Sequence, residues 1–219
     1  MPARKIKRKK LLVEGAEDKR VIPELIEANG VSWGETARQA IVYIKEFDGI
    51  ENLLSPNVIS TELKDRGLEI IGIIADADES VTDRWKQIRN QCSSIFPGLP
   101  EQIPEQGLIH HNDKGLKLGV WIMPDNRTSG MLETFLTYLV PDHQVDSVWK
   151  HAKASLETAM KIGTPCKKHH EDKARVHTWL AWQNPPGRQL HNAVMERIFE
   201  SSHPKAQPFV QWFKDLYDV

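Results

Sequence analysis

The run Ile70-Ile71-Gly72-Ile73-Ile74-Ala75 constrains the fold more than any other stretch. An unbroken apolar run suits a strand covered on both faces, whereas a half-exposed strand would alternate. The run stops at Asp76-Ala77-Asp78, and Ser80-Val81-Thr82-Asp83 then resembles a capping box opening a helix. A second run, Leu11-Leu12-Val13, stops at Glu14-Gly15 and leads through Glu17 and Asp18 into the apolar face Val21, Ile22, Leu25 and Ile26. Parallel sheets gather their loops at the carboxyl ends of the strands, where ligands bind. Two neighbouring strand ends would pool up to five carboxylates: Glu14, Glu17, Asp18, Asp76 and Asp78. Their repulsion calls for a cation between them, and hard oxygen ligands suit Mg²⁺ or Mn²⁺.

The rest of the chain extends this pattern. Strands are expected at 10–15, 40–47, 68–75 and 118–123, and helices at 18–29, 57–66 and from Ser80 to about Ser94. Pro97, Pro100 and Pro104 mark a loop, and helix spacing returns over 131–139. Strand and helix in alternation predict an α/β layer with a central, mostly parallel sheet. After Pro141 the pattern is helical throughout, over 145–162, 169–182, 190–201 and 208–217. The expected organisation is therefore an α/β domain over 8–140 with an α-helical extension, 141–219, packed on it. Trp149, Trp179, Trp182 and Trp212 are expected to fill that interface.

Bulk properties narrow the setting. The chain has 219 residues, 40% of them apolar, with 29 Lys and Arg against 30 Asp and Glu. A polyanion partner would therefore be met by a local basic patch. No apolar run approaches the roughly 20 residues that span a bilayer. The basic start, with Arg4, Lys5, Lys7, Arg8, Lys9 and Lys10, is followed by no signal-peptide core. Cys92 and Cys166 are too few for a disulfide framework. These features together predict a cytoplasmic protein with no membrane partner.

Glu14 before Gly15 places a carboxylate where the backbone can turn and leave room for a ligand. Asp18, one helical turn on, can return to the same mouth. Helix capping alone would also account for Glu17 and Asp18, but a single cap does not need Asp-Ala-Asp after a buried strand. His110-His111 and Cys166-Lys167-Lys168-His169-His170 lack the repeated close spacing of structural zinc sites. Lys167, Lys168 and the basic N-terminus read better as phosphate-contacting or solvated surface.

The two acidic strand ends, in this order and separation, resemble the Toprim domain. That domain occurs in topoisomerases, bacterial primases, recombination nucleases and the overcoming-lysogenization-defect (OLD) nucleases. Its pattern is a hydrophobic strand ending in Glu-Gly with an acid four residues after the Glu, then a strand ending in Asp-x-Asp. Here these are Glu14-Gly15 with Asp18, and Asp76-Ala77-Asp78. The chain also resembles small stand-alone Toprim-like proteins through Trp121 to Asn126, Gly130 to Glu133 and Trp179 to Gln183. The resemblance implies a Toprim-like Rossmann-type layer and Mg²⁺-dependent chemistry on a phosphodiester of DNA or RNA, in a setting such as phage defence or repair. Glu14 would be a metal ligand or general base, and Asp76 and Asp78 metal ligands, with Asp18 at the same mouth.

A second metal would need further ligands, and Asp125 and Glu133 are the candidates. A cation must also meet charge developing on the phosphoryl oxygens. Lys173, which shares a helix face with His177, is the candidate, while Arg175 reads as solvated surface. A non-cleaving module that binds metal, nucleotide or nucleic acid is the alternative. The chain carries no Gly-x-x-x-x-Gly-Lys-Ser/Thr loop; because OLD-type Toprim domains are fused to an ATPase, a separate ATPase partner is a further expectation.

Overall fold

The structure is a computed structural model, and it describes residues 8–36 and 39–219. Arg4, Lys5 and Lys7 lie outside the described residues. Among the described residues a five-stranded sheet runs in the order β2-β1-β3-β5-β4. Its strands are β1 (Lys9–Val13), β2 (Tyr43–Glu46), β3 (Ile70–Asp76), β4 (Leu108–His111) and β5 (Lys117–Met123). β2, β1, β3 and β5 are parallel, and β4 closes one edge antiparallel to β5. The expected mixed, mostly parallel α/β architecture is therefore observed.

Three departures from expectation are local. The second strand shrinks from 40–47 to Tyr43–Glu46. β4 arises in the stretch read as a proline-marked loop, because Leu108, Ile109 and His110 pair with Val120, Gly119 and Leu118. A four-residue edge strand carries too little alternation to stand out in the sequence. The helix expected over 57–66 is shorter, α3 (Val58–Glu62), and a further short helix, α2 (Ile50–Leu53), precedes it.

Side chains alternate across the sheet, as the pleat requires. Leu12, Ile71, Ile73, Ala75, Leu118, Val120 and Ile122 face α2, α3 and α4 (Val81–Cys92), where Trp85, Ile88 and Cys92 are buried. Leu11, Val13, Ile70, Ile74, Trp121 and Met123 face the other way. That face is covered by α1 (Ala16–Ala28), α5 (Leu132–Thr137), α8 (Glu171–Leu180), α9 (Leu190–Met195) and α10 (Gln207–Tyr217). α6 (Asp142–Gln144), a π-helical turn over Val145–Trp149 and α7 (Lys150–Lys161) lead from α5 to α8. The apolar cluster is continuous from the sheet through these C-terminal helices.

α10 reaches the sheet because Gly72 and Gly119, paired across β3 and β5, leave a notch. A methyl at Gly72 would collide with the Tyr217 hydroxyl, and one at Gly119 with the Leu216 side chain. In that notch the Tyr217 O–H donates to the Lys10 carbonyl at 2.6 Å. Trp179 and Trp212 are fully buried, but Trp182 is 46% exposed and stacks on His151 at 5.1 Å. Trp182 thus departs from the expected interface role: it follows the end of α8 and lies on the surface. No helix among the described residues is long and apolar enough to cross a membrane.

Candidate metal centre at the strand ends

β1 and β3 are neighbours, with Val13 paired to Ile74. The chain leaves β1 toward β2 on one side and β3 toward β5 on the other, so the crevice between them is the topological switch point of the sheet. Glu14 and Asp76 flank that crevice. The Asp76 N–H points at Glu14 Oε2 over a long 3.4 Å. Asp18 is buried at the start of α1, and its Oδ2 accepts the Gly15 N–H at 3.0 Å. It therefore caps its helix and also faces the mouth. Gly15 is extended (φ −141°) and not left-handed; a Cβ there would stand 3.6 Å from Asp18 Oδ2, in ordinary contact. Glu17 pairs with Arg20 and lies within electrostatic reach of Lys173, so it stands beside the expected group of five and not within it.

Asp78 sits just past β3 in left-handed backbone (φ 52°). Its N–H and C=O exchange hydrogen bonds with Gly130, both at 2.9 Å, which pins the Asp-Ala-Asp turn to the segment leading into α5. Asp76 Oδ1 accepts the Leu132 N–H at 3.0 Å in the first turn of α5. The next residue, Glu133, is buried and joins the group in the place of Glu17. Lys173, in the first turn of α8, reaches it at 2.8 Å. Thr134 Oγ1 donates to Asp172 at 2.8 Å, so two adjacent contacts fasten α8 to α5.

Asp125 does not join. Its Oδ1 accepts the N–H groups of Arg127 and Thr128 at 3.1 and 2.8 Å, and its Oδ2 accepts the Tyr138 hydroxyl at 3.2 Å. An aspartate just past a strand can cap its own loop as readily as face the mouth, and here the loop holds both oxygens. The candidate second-metal pair thus separates, with Glu133 in the cluster and Asp125 outside it.

The electrostatics reflect crowding. Burial, then Asp18, Glu14, Glu133 and Asp78, hold the Asp76 carboxyl well above the ordinary range. Burial and Glu14 push Asp18 up to about 7. Burial and Asp78 raise Glu14, against the pull of the Asp76 N–H and Arg84. Two cations face five carboxylates. Arg84 is a residue that the sequence reading missed. It lies buried in α4 and reaches back to the strand end, with its Nη2 on Asp78 Oδ2 at 2.6 Å and its Nε on the Asp76 carbonyl at 2.7 Å. Its place one turn past the Ser80 cap marks the start of α4 but carries no signal that the side chain folds back to the strand end.

No three His, Cys, Asp or Glu among the described residues already close around a point that could hold a metal ion. Asp78 is drawn to Arg84 and Glu133 to Lys173. The donor set nevertheless fits a hard divalent ion, because every candidate ligand is a carboxylate and their repulsion is only partly offset. A cavity of about 490 Å³ opens beside Asp78, walled by Glu79, Arg84, His169 and His170. Lys168 lines the adjoining hollow, while Arg8, Lys9 and Lys10 are engaged with Glu69, the Tyr217 carbonyl, and Glu62 and Asp65. Arg175 pairs with Asp172 at 3.0 Å.

A family model described as "Protein of unknown function (DUF3226)" matches residues 8–218. The chain belongs to that family. Its match covers β1 through α10, the five carboxylates and both cations. Among solved structures, the C-terminal region of the Burkholderia pseudomallei OLD protein is 12% identical, with a TM-score of 0.44 over 96% of this chain and 98% of that one. The C-terminal region of the Xanthomonas campestris pv. campestris OLD protein, phased with mercury, is 12% identical, with a TM-score of 0.43 over 97% of each chain. No curated protein matches the sequence.

Proposed function

We propose that the protein is a Mg²⁺- or Mn²⁺-dependent phosphodiesterase of the Toprim type acting on DNA or RNA. The observation that carries the reading is the gathering of Glu14, Asp18, Asp76, Asp78 and Glu133 at one switch point with Arg84 and Lys173 beside them. The order of the Glu-Gly and Asp-x-Asp motifs supports it. Glu14, Asp76 and Asp78 would hold the ion, with Asp18 and Glu133 adjoining. When bound, the ion supplies Lewis-acid charge at a phosphoryl oxygen.

The protein's own groups define the rest of the chemistry. Glu14, whose carboxyl burial raises, is the group at the crevice assigned to accept a proton from an attacking water. Lys173 is pushed above its ordinary value by its bond to Glu133, even against burial, so it acts as a cation and not as a base. Its half-exposed ammonium can meet charge on a phosphoryl oxygen while Glu133 orients it.

The test is cleavage of labelled single- and double-stranded DNA and RNA with Mg²⁺, Mn²⁺ or EDTA. Cleavage that EDTA abolishes, and that Asp76→Asn abolishes in a folded protein, supports the reading. Metal binding with no cleavage of any of these substrates replaces it with a binding module.

A further inference from the structure

Arg84 is fixed at the mouth through three separate nitrogens. Its Nε donates to the Asp76 carbonyl at 2.7 Å, its Nη1 to Gln87 Oε1 at 3.1 Å and its Nη2 to Asp78 Oδ2 at 2.6 Å. The first two acceptors are a backbone carbonyl and a neutral amide, and the third is a candidate metal ligand. A guanidinium is a rigid planar fork, so the first two bonds hold Nη2 in place whether or not Asp78 stays on it. Lys173 differs: its ammonium ends a flexible stem and is half exposed, so it can follow Glu133.

Asp78 is fixed from the other side. Its N–H and C=O both bond to Gly130, so its backbone is held. What can turn is its side chain, 42% exposed against 10% for Arg84. As it stands, that carboxylate is drawn to Arg84, and no three candidate ligands among the described residues close around one point. To share an ion with Glu14 and Asp76, the Asp78 side chain must turn toward them. Arg84, anchored on the Asp76 carbonyl and Gln87, does not turn with it. The buried guanidinium keeps a counter-charge all the same, because Glu14 lies within its electrostatic reach.

We infer that Arg84 is an internal counter-cation that a divalent ion displaces from Asp78. Asp78 stands on Arg84 while the ion is away and turns to the ion when it arrives, and the guanidinium stays where it is. The inference rests on the reading of these strand ends as a metal site. It gives Arg84 an effect opposite to that of an orienting partner. A partner that orients a ligand strengthens metal binding, typically by about 10–100-fold, whereas a cation that must be displaced weakens it.

Calorimetric titration of the full chain with Mn²⁺ tests it. Arg84→Met should raise Mn²⁺ affinity at least about fivefold, because Asp78 no longer has to leave a charge-assisted bond. In the Asp78→Asn background the same substitution should change affinity by less than about twofold, since the charged bond to be exchanged is gone. An equal rise in both backgrounds would mean a long-range effect of charge and would overturn the inference, as would unchanged or weaker binding by Arg84→Met. Nitrogen-15 spectra of the wild-type guanidinium groups, with Arg84 assigned by its loss in Arg84→Lys, give a reading independent of how Arg84→Met folds. Saturating Mg²⁺ should free the rotation of Arg84 Nη2 while its Nε–H stays protected. Unchanged Nη2 rotation would overturn the inference and leave the metal site standing. No binding of either ion by the wild type would overturn both.

Discussion

Lys173 Nζ stands 2.8 Å from Glu133 Oε1, joining a half-exposed cation on α8 to a buried carboxylate on α5 at the mouth of the sheet. This contact ties the C-terminal helices to the candidate chemistry. Lys173→Ala would leave Glu133 buried without its cation and remove one of the two positive charges at the mouth. Turnover should fall at least about tenfold, equivalent to ~1.4 kcal/mol of lost transition-state stabilisation. Mg²⁺ affinity should rise, because Glu133 is then free to face the ion. Single-turnover cleavage and calorimetric metal titration of the same variant separate the two effects; unchanged cleavage removes Lys173 from the chemistry.

Asp76→Asn should raise the melting temperature of the metal-free protein while abolishing metal-dependent activity. The neutral side chain can still accept the Leu132 N–H, and it relieves repulsion from Asp18, Glu14, Glu133 and Asp78. For a chain of this size each kcal/mol recovered is worth about 2–4 °C. A lower melting temperature in EDTA would assign Asp76 to capping α5 and not to holding a cation.

The pH dependence follows from Asp18, whose pKa moves from 3.8 to about 7, chiefly through burial and then Glu14. A carboxyl raised on folding binds more protons in the native state than in the unfolded one. Stability is then greatest below the unfolded value and is lost as pH rises toward the folded value. Melting in EDTA should therefore fall between about pH 4 and pH 7, and Glu14 and Asp76, shifted in the same direction, should add to the slope. Asp18→Asn should flatten the curve, and saturating Mg²⁺ at pH 8 should restore what was lost. A flat profile in EDTA would mean that the cluster carries no such strain.

Much of this arrangement was legible in the sequence because buried parallel strands are written as unbroken apolar runs. Ile70–Ala75 and Leu11–Val13 announced β3 and β1, and the acids after them announced the mouth. What stayed hidden depended on direction. Glu17 and Asp18 are adjacent on α1, yet only Asp18 turns inward, since neighbours on a helix point about 100° apart. Asp125 looked equivalent to Asp78, but the former spends both oxygens on its loop and Tyr138 while the latter is pinned by Gly130. Arg84 was hidden because nothing in a single helical turn says that an arginine will fold back to a strand end. Nor did Gly72 and Gly119 reveal that they make room for α10.

That notch gives a prediction about stability alone. Gly119→Ala should destabilise the protein by about 1–3 kcal/mol, because a methyl there meets Leu216 in a packed interface. Leu216→Ala in the same background should recover part of the loss by making space. Urea unfolding of the single and double variants measures the coupling. Additive losses would mean that α10 does not rest in the glycine notch.

Asp125 and Asp78 offer the sharpest separation of ligand from loop. Both follow strand ends, but Asp78 lies within the electrostatic reach of Glu14 and Asp76, whereas the partners of Asp125 are Arg127, Thr128 and Tyr138. Asp78→Asn should lower Mg²⁺ affinity at least about tenfold, since it removes a charge next to the ion. Asp125→Asn keeps one acceptor oxygen and is remote from the cluster, so Mg²⁺ affinity should change by less than about twofold. Tyr138 should titrate at lower pH in this variant, because the Asp125 carboxylate is among the groups, after burial, that hold its hydroxyl above the ordinary value. Ultraviolet titration of Tyr138 and calorimetric titration of Mg²⁺ read the two effects independently. An equal loss of Mg²⁺ affinity in both variants would place Asp125 at the metal after all and would require the loop to release its carboxylate.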